Sequence, residues 1–154
     1  MQTITVHTLV AAPIEVCFDA ARDLDLHVQS MAHTNERAVG GRTSGLIELN
    51  EEVTWCGRHF GVVQHFTSRI TAFDRPRHFR DEMQRGAFRS FVHDHYFVEE
   101  NGITQMTDVL VFAAPLGILG RIAEKLFLRS YLERMLTERG KTITQYSSLR
   151  SGGS

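Results

Sequence analysis

Asp81, His93, His95 and Asp108 are the residues of this 154-residue chain whose types and spacing could do chemistry. Each lies in a stretch that alternates like a β-strand, in the phase that also carries large apolar side chains. Phe79, Asp81 and Met83 share one phase, while His78, Arg80, Glu82 and Gln84 fill the other. Phe91, His93, His95 and Phe97 share a second apolar phase, and Met106, Asp108, Leu110 and Phe112 a third. Successive strand side chains point to opposite faces, so each phase is a physical surface. A surface mixing Phe and Met with His and Asp is neither a plain core nor a solvated face. It has the make-up of a pocket wall, apolar overall with a few polar groups that orient a ligand.

A histidine held by a carboxylate suits acid–base work, because its pKa lies near neutrality and the carboxylate fixes its tautomer. His93 or His95 paired with Asp108 forms such a catalytic candidate, with Asp81 as a second polar anchor. Arg58 and His59 are further candidates if they face inward. His93-x-His95 together with Asp81 or Asp108 also has the spacing of a two-His, one-carboxylate metal site suited to non-haem iron. The blandest alternative is that the four groups satisfy one another inside a core, since an unpaired buried polar group costs about 1–3 kcal/mol. Which histidine faces Asp108 depends on the turn at Asn101-Gly102. A two-residue turn sets His95 opposite Asp108, and a four-residue connection sets His93 there.

The elements that must position these groups are legible in order. Thr3–Val10 is β-branched and suits a strand. Ala12-Pro13 opens a helix whose Ile14, Cys17, Phe18 and Ala21 form one buried stripe. A second short helix fits Leu24–Met31, and Gly40, Gly41 and Gly45 mark turns or a bulged strand. Strands follow from Glu51 to about His59, including Trp55, then over Val62–Phe73, Arg77–Gln84, Phe88–Glu99 and Thr104–Ala113. Gly86 fits a three-residue hairpin loop, and Asn101-Gly102 is the strongest hairpin signal in the chain.

After Pro115 the pattern is helical from about Leu116 to Ser147. Its apolar phase changes part-way, from Ile118, Leu119, Ile122, Ala123 and Leu126 to Leu128, Leu132, Met135, Leu136 and Ile143. The expectation is one long helix with a wide buried face. The alternatives are a bend, or a first part, Leu116–Leu128, that meets a membrane or a second subunit. Residues 1–148 read as a single domain and 149–154 as a flexible tail.

Composition narrows the functions. A hydrophobic content of 42% and charged content of 23% are ordinary for a globular domain. A formal net charge of −1 argues against a dedicated nucleic-acid partner. Arg75, Arg77, His78 and Arg80 read as a solvated strand edge. Cys17 and Cys56 match no metal or redox spacing, and no run is long enough to span a bilayer, so the cytoplasm is the expected address.

The order strand, two short helices, long antiparallel run and long final helix resembles the START/Bet v 1-like (SRPBCC) superfamily. Ala12-Pro-Ile-Glu-Val16, Val53-Thr-Trp55, Gly86-Ala-Phe88 through His93-Asp-His95, and Pro115-Leu-Gly117 are similar to its small bacterial branch of polyketide cyclase and ligand-binding domains. The resemblance implies an α+β helix-grip fold, a curved antiparallel sheet wrapped around the C-terminal helix, with a cavity between them. It carries no universal catalytic motif, because the superfamily holds binders and enzymes alike.

The expected function is binding of a hydrophobic small molecule, lipid, polyketide or isoprenoid-like, without a cofactor. Trp55, Phe79, Asp81, Met83, Phe91, His93, His95, Phe97, Met106, Asp108 and Leu110 are its expected ligand-binding residues. The alternative is an aromatase/cyclase- or dehydratase-type enzyme using the His–Asp pair.

Overall fold

The alternating, β-branched segments build seven strands in the computed structural model, which describes residues 1–151. They are β1 (Gln2–Val10), β2 (Arg37–Gly41), β3 (Glu52–His59), β4 (Val62–Asp74), β5 (His78–Arg85), β6 (Ser90–Glu100) and β7 (Ile103–Ala113). All pair antiparallel in one sheet of order β1-β7-β6-β5-β4-β3-β2. The chain leaves β1 at one edge, passes through α1 (Ile14–Ala21) and α2 (Leu24–Ser30), and re-enters at the opposite edge as β2. β2 is short and bulged between Ala38 and Gly40, as its glycines suggest. Asp23 stops α1 and starts α2, its carboxylate accepting from the Asp25 and Leu26 N–H groups at 3.0 and 3.1 Å.

The C-terminal segment is the one long helix expected, with a π-helical turn inside it. α3 (Gly117–Ala123) runs into a π-helical turn (Glu124–Leu128) and then α4 (Arg129–Ser151). A π turn holds an extra residue, which rotates everything on one side of it relative to the other. That rotation is the physical origin of the phase change in the sequence. It also overturns the expectation of a wide buried face. Leu116, Ile118, Leu119, Ile122, Leu126 and Phe127 are all at least half exposed. Glu124 is buried instead, accepting from the Ala114 N–H at 2.8 Å. α4 continues through residues 149–151, which the sequence assigns to a flexible tail; residues 152–154 of that tail lie outside the described residues.

Two apolar clusters lie between the sheet and the helices. One centres on Phe18 of α1, whose ring meets Phe73, Phe79 and Phe97 edge-on at 5.4, 5.3 and 5.2 Å. The other joins Ile4, Leu110 and Phe112 of the sheet to Leu132 and Leu136 of α4. Cys17 and Cys56 are free and buried. The outer cations are paired, Arg75 with Asp19, Arg77 with Asp74, and Arg80 with Asp94. No described helix is long and apolar enough to cross a membrane.

Candidate functional site

The β6–β7 hairpin decides the site. Asn101 and Gly102 both have left-handed backbones, φ 54° and 78°, which is the two-residue turn that matches strand twist. The resulting register sets His95 opposite Asp108 and His93 opposite Leu110, while across β5 His93 faces Asp81 and His95 faces Phe79. The four polar groups therefore meet. His95 Nε2 lies 2.7 Å from Asp81 Oδ2 and its Nδ1 3.0 Å from Asp108 Oδ1. His93 Nε2 lies 2.9 Å from the same Asp108 oxygen, and its Nδ1 is 3.9 Å from Asp81 Oδ2, beyond hydrogen-bond reach. The sequence left open which histidine pairs with Asp108, and both do.

The electrostatics follow from that geometry. Carboxylate oxygens lie beside both ring nitrogens of His95, which favours its doubly protonated form, and Arg139 Nη1 stands 3.5 Å from Nδ1. Burial alone would lower the His95 pKa, but the hydrogen bonds to Asp108 and Asp81 outweigh it and the pKa is raised. His93 is lowered by burial and by the neighbouring His95 charge. Both carboxyls are held below their ordinary range, because the histidine hydrogen bonds outweigh desolvation. Arg139 of α4 completes the group, with Nη1 4.0 Å from Asp108 Oδ1 and Nη2 donating to the Ala21 carbonyl. Two carboxylates, one imidazolium and one guanidinium balance to zero charge. The Phe79 ring stacks on His95 at 4.1 Å and the His93 ring lies tilted against it at 3.8 Å, and both shield it from water.

Beside this cluster lies a largely apolar cavity of about 310 Å³ between the sheet and α4. Trp55, Phe79, Asp81, Phe91, His93 and Leu110 line it. Met83, His95, Phe97, Met106 and Asp108 do not. Phe97 and Met106 point to the same side of the sheet as the lining residues, but belong to the cluster that Phe18 plugs. Met83 packs at the β5–β6 turn, where its sulfur would stand 2.8 Å from any Cβ placed on Gly86. His95 and Asp108 sit behind His93. Of the two further candidates, His59 lines the cavity and Arg58 points to solvent.

The sequence reading missed most of the wall contributed by helices and edges. Tyr131, Met135 and Arg139 reach the cavity from α4. The available signal was an arginine three residues after Leu136 in an otherwise apolar stripe. Also missed was a second polar cluster. Glu36, buried just before β2, accepts from His27 Nε2 at 2.8 Å and lies 3.3 Å from His59 Nε2. His59 Nδ1 is 2.5 Å from the Tyr131 hydroxyl. Desolvation would raise the Glu36 pKa, but the two histidines bring it down to about 2. Gly57 leaves room for that carboxylate, since a Cβ there would lie 3.3 Å from Glu36 Cγ and Oε2.

One potential ligand atom each from Asp81, His93 and His95 falls within 4.8 Å of the others, a spacing a metal could use. Binding a metal there would displace the protons that His95 shares with Asp81 and Asp108.

Comparison with solved structures fixes the architecture. TTHA0849 from Thermus thermophilus superimposes with a TM-score of 0.78 at 16% identity, over 97% of this chain and 99% of that one. The Zhui aromatase/cyclase from Streptomyces sp. R1128 gives a TM-score of 0.78 at 13% identity, over 99% and 98% of the two chains. This chain has the helix-grip fold. Ginseng major latex-like protein 151 from Panax ginseng shares it at a TM-score of 0.68 and 14% identity, over 95% and 97% of the chains. At such identities the likeness of this helix-grip chain to the three is one of fold. No family model and no curated protein sequence matches it.

Proposed function

We propose that this chain binds a hydrophobic small molecule, lipid, polyketide or isoprenoid-like, in the cavity between its sheet and α4. The observation that carries the reading is a polar cluster of balanced charge set into one wall of an otherwise apolar cavity. A volume of about 310 Å³ is at the lower end of pockets that take drug-sized ligands. The apolar wall supplies affinity through burial, and Asp81, His93 and Arg139 orient one polar end. That a solved structure of the same fold is an aromatase/cyclase supports a small-molecule reading.

A cavity-filling substitution tests this directly. Met135→Trp is expected to weaken biphenyl binding by about tenfold or more, with little change in melting temperature, because Met135 is only half-buried. Binding equal to wild type, or no biphenyl binding by the wild type, would overturn the reading.

The orientation of His93 supports a second reading, in which the same cavity houses acid–base chemistry. Its Nε2 is committed to Asp108, and its pKa is lowered, which keeps the ring neutral and Nδ1 basic. A neutral imidazole so held can take a proton from carbon beside a ligand carbonyl, with the Arg139 guanidinium on the same wall to offset charge on the oxygen. In this reading His93→Gln abolishes turnover of a cyclisable substrate yet leaves ligand affinity within a few-fold. Loss of affinity in step with activity would assign His93 to binding alone.

A further inference from the structure

We propose that Tyr131, backed by His59 and Glu36, is a second ligand-anchoring site, taking a hydroxyl group of an elongated apolar ligand whose other polar end lies at His93 and Asp81. The inference rests on the cavity-binding reading and narrows its ligand to a molecule with oxygen functions at both ends.

The assignment of protons gives the chemistry. Glu36 can only accept, so His59 directs a protonated Nε2 toward it at 3.3 Å. Since Nε2 is turned to Glu36, Nδ1 is the acceptor for the Tyr131 hydroxyl, 2.5 Å away. With its proton committed, the phenolic oxygen keeps its lone pairs for a donor that enters from the cavity, such as an alcohol or phenol O–H. His59, Tyr131 and the buried Glu36 beside Gly57 all line the cavity. His27, the other partner of Glu36, is fixed against Trp55 with ring centroids 4.2 Å apart. The relay is thus braced from behind and open only toward the cavity side.

The Tyr131 ring packs on Phe60, with centroids 4.5 Å apart, and against the Leu132 and Leu136 cluster, so the ligand role falls to its hydroxyl. The Glu36 carboxylate is already satisfied by His27 and His59, and the phenol adds nothing to it. The placement along α4 also argues for two anchors on one ligand. Tyr131 and Arg139 are eight residues apart, which on an α-helix is about 12 Å of axial rise. Between them Leu132, Met135 and Leu136 supply an apolar stretch. A rod of two fused or linked rings, hydroxylated at each end, matches that layout.

Three rod-shaped probes separate this idea from its premise: biphenyl, para-phenylphenol and para,para′-biphenol. In titrations with the wild-type chain, the biphenol is expected to bind about tenfold more tightly than the phenylphenol, the difference one satisfied hydrogen bond makes. Tyr131→Phe should erase that difference. His59→Gln, which keeps a polar group but breaks the relay, should reduce the difference without abolishing binding. Equal affinities for the two phenols in the wild type, or an undiminished preference in Tyr131→Phe, would overturn the second anchor and leave the cavity standing. Failure of all three probes to bind would remove the cavity reading and the anchor with it.

Discussion

Asp108→Asn should destabilise the fold by about 3–5 kcal/mol, the range expected when one member of a buried charge network is removed. The Asp108 side chain is nearly buried and one of its oxygens serves both His93 Nε2 and His95 Nδ1. A carboxamide can keep the acceptor but not the charge. His95 and Arg139 would then face Asp81 alone, leaving one positive charge uncompensated in an apolar setting. Urea denaturation at neutral pH measures the loss directly. A change below about 1 kcal/mol would show that water, not the carboxylate, balances the cluster. The pH dependence carries the opposite signs of its members. His95 is raised, so its contribution is complete below its unfolded pKa and fades as pH climbs through the folded value. Asp81 and Asp108 are lowered, so theirs is complete above their unfolded pKa and fades as pH falls. Wild type should therefore show a stability plateau with both an acid and an alkaline limb, and the alkaline limb should shrink in Asp108→Asn.

The second large effect belongs to Glu36. Its pKa falls from 4.5 in the unfolded chain to about 2 in the fold, a difference worth roughly 3 kcal/mol at neutral pH. Because the folded value is the lower one, the stabilisation is present above the unfolded pKa. It drains away between pH 4.5 and about 2. Glu36→Gln should lose most of that stability at pH 7 and respond much less to acid over the same interval. Urea midpoints measured across the acid range for both proteins check this. Parallel acid limbs would place the acid sensitivity elsewhere.

Strand parity was enough to bring Asp81, His93, His95 and Asp108 onto one face, while the Asn101-Gly102 signal left their register open between a two-residue turn and a four-residue connection. Parity could not say how far along a strand the cavity extends. Phe97 and Phe91 share a face, yet only Phe91 lines the cavity, because Phe18 of α1 closes the end where Phe97 lies. That boundary is a tertiary fact with no periodic trace in β6. The Glu36 cluster was hidden for a similar reason. His27 of α2, Glu36 just before β2, His59 of β3 and Tyr131 of α4 meet only when β2 pairs with β3 and α4 lies across them. The helix-grip order itself was legible throughout, since it depends on periodicity, on Pro115 and on turn residues. The π turn was visible only as a slip in apolar phase, which a bend would also have produced.

The bulge in β2 has a consequence for how these molecules behave in a crowd. An open sheet ends in two rows of unpaired backbone groups, each a template on which another chain can grow. At the β2 border that template is five residues long and broken between Ala38 and Gly40. Gly41 then turns the chain away with a left-handed backbone, φ 65°. An incoming strand would find no uninterrupted ladder to extend. A chain with a largely apolar cavity is thereby guarded, at this border, against polymerising through its own sheet.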